Sequence, residues 1–275
     1  MRKLACSTAY LAVVLALGSS LMAQQKQGAP PADPRDRTLY QKLARDTNAG
    51  GPAPKRDLSG MWAGNIEPTM NKDIPPLTPL GMKLMSLNKP EAEYGTVATN
   101  DPWFTTCDPL GFPRSVINQT NITAFGTMPG KILILDGFNR VWREVEMDGR
   151  PLPKGVGTPA GPDPRWFGYS VGHWETDNTL VVRSTGSDAR SWVDKEGHPH
   201  SVDAVVEERY VRANHNNLQV TITLDDPKIF TKTYTVATNQ FRWIPDQEFE
   251  EQICVPSEGI QYQQVIATPA GTAQK

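Results

Sequence analysis

Cysteine and histidine are scarce in this chain, neither sign of charge dominates, and no long apolar run follows the N-terminal stretch. Among 275 residues there are three cysteines and four histidines. The 28 Lys and Arg nearly balance the 30 Asp and Glu, which excludes the broad basic surface that nucleic-acid binding requires. The lack of a later apolar run of about 20 residues excludes an integral helical membrane segment beyond the N terminus. Helical periodicity is nearly absent and no internal repeat is visible, so helical bundles and solenoids are excluded as well.

At the N terminus, Arg2 and Lys3 precede an apolar run that ends near Ser19, Ser20 and Ala23. This pattern reads as a secretory signal over residues 1–23 and predicts a secreted or periplasmic protein. Removing it takes Cys6 away and leaves Cys107 and Cys254, an even count in an oxidising compartment. One disulfide between them is expected; two separately buried thiols are the alternative. Loss of Arg2 and Lys3 also moves the net charge from −2 to −4.

Residues 24–57 carry "GAPPADP" and "NAGGPAPKRD", which cannot build a core and read as a leader. Between them "RTLYQKLARDT" has the pattern of a short helix. From residue 58 to 260 short apolar runs alternate with Pro, Gly, Asn and Asp, and we expect one β domain followed by a flexible tail over 261–275. "NLQVTITLD" and "IFTKTYTVA" alternate apolar and polar positions around the turn "DDPK", and with "VDAVVEERYVRA" they form an antiparallel meander. Earlier strands are expected at "SGMWAG", "ITAFGTM", "KILILDG", "RVWREVEMDG" and "TLVVRST". "ILIL", apolar on both faces, is expected to be central. "TPLGMKLMSLNKP", bounded by Pro79 and Pro90, is the one later helix candidate. The fold class is therefore mainly β, an antiparallel barrel or sandwich with minor helix and long Pro/Gly-rich loops such as "DGRPLPKGVGTPAGPDPRW".

Two resemblances extend this reading. "LSGMW", with Gly60 and Trp62, resembles the Gly-x-Trp of the first strand in calycin, or lipocalin-like, barrels. That likeness implies a late-strand arginine lying over the tryptophan, a part that Arg209 or Arg212 would play. "CDPLGFPR", "WREVEMDGRPLP", "WFGYSVGHWETDNTLVV", "GHPHSVDAVVEERYVR", "TITLDDP" and "EEQICVPSE" together resemble a large group of secreted bacterial proteins. This second likeness implies a shared fold and export, and no particular activity.

Chemistry-bearing residues fall into three clusters. His198 and His200 lie two apart, so in an extended chain both imidazoles project to one side and could share a Zn²⁺ or Cu²⁺. Two ligands are too few, and a third would come from His173, Glu175, Asp203, Glu207 or His215. No cofactor is the main expectation, since Pro199 interrupts strand pairing and leaves both rings on a turn. If Val202, Ala204 and Val206 face the core, parity places His198, His200, Glu208, Tyr210 and Arg212 on that same face.

"WREVEMDGR" forms the second cluster. Its Asp148-Gly149 favours a tight hairpin. Arg143 shares a face with Val141 and Val145 and needs a partner there, either a carboxylate such as Glu208 or an anionic ligand. In the third cluster Trp166, Phe167, Tyr169 and Trp174 offer flat apolar area between Gly168 and Gly172. The letters of "GYSVG" match a nucleophile elbow around Ser170, but the chain leads into another strand where a helix is required.

These clusters point to a protein that binds a small amphipathic or aromatic molecule in a barrel cavity, with Arg143, Trp166, Tyr169, Trp174 and His198 as ligand-binding residues. The alternatives are an enzyme in the same cavity, using His200 with Asp148 or Glu208 as acid and base, and a cell-envelope interaction module without a small ligand.

Overall fold

The structure, a computed structural model, describes residues 48–64, 69–90, 97–117, 122–137, 141–249 and 253–273. The expected signal, most of the expected leader and the helix expected over "RTLYQKLARDT" lie outside these residues.

Alternation of side chains builds the domain. Strands β1 (Gly60–Gly64), β3 (Ile122–Met128), β4 (Lys131–Asp136), β5 (Val141–Glu146), β6 (Tyr169–Thr176), β7 (Thr179–Thr185), β8 (Val205–Arg212), β9 (Asn217–Asp225) and β10 (Tyr234–Trp243) pair in sequence order. β1 then pairs with β10, setting Trp62 against Trp243 and closing a nine-strand barrel. A short strand β2 (Thr69–Met70) adds to β10 at Ala237 and Thr238.

The meander of β8, β9 and β10 is in place, in continuous antiparallel register apart from one irregularity between Thr235 and Ala237. In β8 every second residue is buried: Val206, Glu208, Tyr210 and Arg212. β4 departs from expectation. Ile132 and Ile134 are buried but Leu133 and Leu135 only half-buried, because a barrel has one interior and the strand packs mainly through one face.

A second departure follows β5. The Asp148-Gly149 turn does not return the chain as a hairpin; the next strand, β6, runs parallel to β5. Pro151 and Pro153 come directly after the turn, and proline cannot donate to a ladder. The chain instead crosses over through residues 147–168 and starts β6 from the same end, as parallel pairing demands.

Helix is minor. Thr78 caps α1 (Pro79–Met85), its hydroxyl accepting from the Gly81 N–H at 3.0 Å with Pro79 in the first turn. α2 (Pro102–Thr106) is capped by Asp101. α3 (Arg114–Ile117) is buried throughout, and Phe112, Val116 and Ile117 join the inward side chains of the strands in one apolar cluster. Asn239 of β10 donates to the Val116 carbonyl at 3.2 Å, so residues 110–117 fill the barrel as a plug. Arg114 ties this plug to α2 through a buried bidentate pair with Asp101, at 2.9 and 2.6 Å.

The stretch expected to trail off as a tail is helical. α4 (Pro256–Tyr262) continues through a π-helical turn (Gln263–Ala267) into α5 (Thr268–Ala273). It is anchored from both sides: Cys254 is disulfide-bonded to Cys107, the Tyr262 hydroxyl donates to the Ala98 carbonyl at 2.6 Å, and the Tyr262 ring stacks on Phe104.

Candidate functional site

The barrel wall is thinnest in hydrogen bonds between β5 and β6, which pair only as Val145 with Ser170 and Glu146 with Val171. Residues just before these pairs line a cleft of about 670 Å³, including Trp142 and Arg143 on one side and Trp166, Phe167 and Tyr169 on the other. The crossover supplies the rim through Arg150, Pro151, Pro153 and Arg165. Gly168 turns the chain into β6 with φ of 63°, and a Cβ there would come within 2.4 Å of the Thr185 carbonyl oxygen. Only glycine meets both conditions.

Below the cleft lies a buried polar network. Arg143, 3% exposed, donates from Nη2 to both carboxylate oxygens of Glu208, at 2.7 and 2.9 Å. The Tyr210 hydroxyl donates to Glu208 Oε1 at 2.6 Å, and Ser170 and Ser184 hydroxyls meet at 2.7 Å beside Arg143 Nη1. The Arg143 guanidinium also lies 4.2 Å over the Phe112 ring of the plug. Burial, and then the Glu208 charge, push the Tyr210 hydroxyl well above its ordinary pKa, so it stays a donor. Arg143 is thus a floor residue whose charge is already matched.

Around the rim, charge and aromatic surface interleave. Lys131 bonds Glu144 at 2.5 Å and Glu146 at 3.2 Å, while Arg150 bonds Asp148 at 2.6 Å. The guanidinium of Arg165 lies 4.2 Å over Tyr169 and that of Arg190 lies 4.4 Å over Trp166. Trp142 is 62% exposed. A tryptophan this open beside two further aromatics is apolar area free for a ligand.

No protein-family model and no curated protein matches the chain. Its functional reading therefore rests on the chemistry of its own side chains.

The cleft brings together Arg143, Trp166 and Tyr169. Glu208 joins them from below. Trp174 is half-buried against the core cluster, elsewhere on β6. Asp148 is exposed and held by Arg150, whereas the hydrogen-bond partners of the two histidines are Ser191, Ser201 and Asp194. His200 is 2% exposed; its Nε2 lies 2.9 Å from Ser191 Oγ and its Nδ1 3.1 Å from the Ser201 carbonyl oxygen. Gly111 of the plug seals this pair, for a Cβ there would fall 2.1 Å from Ser191 Oγ. His198 is half-buried and its Nδ1 lies 2.7 Å from Asp194 Oδ2. The two rings are thus committed to different partners. Among the described residues no group of three or more His, Cys, Asp or Glu is placed to hold a metal ion. Ser170 sits within a continuous strand, without the strained turn that an elbow nucleophile needs.

Sequence reasoning missed Arg165 and the plug. Arg165 lies in a Pro-rich stretch read only as a surface loop. Trp142 was legible only as one of several tryptophans able to line a cavity with Trp62, Trp103 and Trp192; its place next to inward Arg143 puts it on the outer face of β5.

Proposed function

We propose that this chain is an exported barrel protein that binds a small amphipathic, ring-bearing molecule in the β5/β6 cleft. One observation carries the reading: Arg143, Trp166 and Tyr169, separated in sequence, line one open cleft together with exposed Trp142. Support for export comes from the sequence of residues 1–23 and from the Cys107–Cys254 disulfide, a bond of oxidising compartments. Support for a calycin-like relationship comes from Arg212, whose guanidinium lies 4.8 Å over Trp62 while the indole donates to the Leu58 carbonyl at 2.9 Å. The site is the outer cleft, because plug residues pack the barrel interior. Acid and base chemistry at His200 finds no support in a ring so fully enclosed.

Native mass spectrometry of protein purified from the exporting host tests the reading. A small molecule retained by the wild type and lost from Trp166→Ala, with thermal unfolding unchanged, is the expected result. If no molecule is retained and naphthalene derivatives fail to bind saturably, the cleft is not a ligand site.

A further inference from the structure

The guanidinium groups in and beside the cleft are not equivalent. Arg143 is paired with Glu208, Arg150 with Asp148 and Arg190 with Asp188, each within 2.7 Å. Among the described residues, Arg165 has no carboxylate within ion-pair distance. Glu144 feels its charge, but that carboxylate is held by Lys131. The Arg165 guanidinium instead lies 4.2 Å from the centre of the Tyr169 ring, a cation–π contact that uses none of its N–H donors.

The main chain that carries this side chain is fixed before any ligand arrives. The Arg165 N–H donates to the Gly186 carbonyl at 3.1 Å, and its own carbonyl accepts from Gly168 and Asp188 at 3.0 and 2.9 Å. The ring beneath it is fixed too, since the Tyr169 hydroxyl donates to the Asp163 carbonyl at 2.7 Å. A guanidinium rooted on fixed backbone and resting on a fixed ring has less freedom to lose on binding, and its N–H fork matches a planar, two-oxygen acceptor.

We propose that the ligand of this cleft is a ring-bearing carboxylate, its two oxygens received by Arg165 and its ring lying against Trp142 and Trp166. The proposal rests on the cleft being a ligand site, and adds the sign and geometry of the ligand's polar end. Pairing of the other guanidinium groups with carboxylates of this chain leaves Arg165 as the group that a ligand carboxylate would complete.

Calorimetric titration of the secreted protein with 2-naphthoate, 2-naphthalenemethanol and 2-naphthylmethylamine tests it. The acid is expected to bind about tenfold or more tighter than the alcohol, as a charge-assisted hydrogen bond implies. Arg165→Gln, an exposed change, should abolish that preference and leave the alcohol unaffected, Arg165→Lys should restore part of it, and Trp166→Ala should weaken all three probes. Equal binding of acid and alcohol, tightest binding of the amine, or a preference for acid that survives Arg165→Gln would overturn the carboxylate assignment while the cleft stands. Saturable binding of none of the probes would overturn the cleft itself.

Discussion

Arg143 and Glu208 illustrate how a buried charge is tolerated only with its partner. Removing one member strands the other in the interior, which costs about 3 to 5 kcal/mol, whereas replacing both with apolar groups is often nearly neutral. Arg143→Met should therefore lower stability in urea unfolding by that amount, and Arg143→Met combined with Glu208→Leu should recover most of it. A single variant as stable as the wild type would show that the pair is solvated. The pair was half legible in the sequence: parity placed both residues inward, and the need for a partner named Glu208 as one candidate. What sequence could not supply was the register, in which β6 and β7 stand between β5 and β8 while the side chains still meet across the interior.

The two neighbouring histidines titrate in opposite directions. For His198, burial works against the proton, but the bond and charge of Asp194 outweigh it and raise its pKa above the ordinary 6.5. Its stabilising contribution is full below about pH 6.5 and fades as pH rises through the raised value. Burial lowers the pKa of His200 below 6.5, so the folded protein resists protonating it. Its contribution is full above about pH 6.5 and fades as pH falls toward the lowered value. His200→Gln should thus flatten the acid limb of a stability-versus-pH curve, and His198→Gln the limb above 6.5. Identical pH profiles for both variants and the wild type would refute this assignment.

At the scale of elements, strand existence was readable and strand connection was not. Alternation in "NLQVTITLD" and "VVEERYVR" marks inward residues because each strand has one buried face. The prolines of "MDGRPLP" argue against a returning hairpin strand, but nothing local says that the chain will come back parallel; that outcome depends on what the distant β6 finds to pair with. The plug was equally hidden, since "PLGFPRSVI" has neither period and is buried only because the barrel surrounds it. The β5/β6 seam makes a specific prediction. Of the amide hydrogens of Val145, Glu146, Ser170 and Val171, those that bond across the seam should exchange faster than those in the β8/β9 ladder, since short ladders open at lower free energy. Uniform protection around the barrel would remove the seam as a weak point.

The disulfide acts on another element. By joining Cys107, at the end of α2, to Cys254, just before α4, it clamps the C-terminal helix to the region of the plug. Its removal should cost about 2 to 5 kcal/mol. Cys254→Ser should show this as a lower unfolding midpoint, with early proteolysis around residues 253–273. Unchanged proteolysis there would mean that Tyr262 and its contacts hold the helix unaided.

For the whole molecule, a closed barrel with a plugged interior separates stability from the proposed binding. The interior carries the apolar cluster and buried ion pairs, while the cleft lies where the wall is least cross-linked. Substitutions at Trp142 or Arg165 are therefore expected to leave the fold intact. By contrast, Phe112→Ala should destabilise it by about 3 to 5 kcal/mol through the cavity it leaves. Composition and spacing announced a β domain of this size; of the two arginines expected over Trp62, Arg209 and Arg212, it is Arg212 that lies there. Closure itself, and the outward placement of the cleft, depend on contacts between residues far apart in the chain.

That closure has a kinetic side. Trp62 can meet Trp243 only after nearly all of the domain has emerged, so the ladder that removes the last open edges is also among the most non-local contacts in the fold. Topologies dominated by such contacts fold slowly. Until β10 arrives, β1 presents an unpaired edge that another chain can extend. For this barrel the hazardous interval is the one between the appearance of its first strand and the capture of its last.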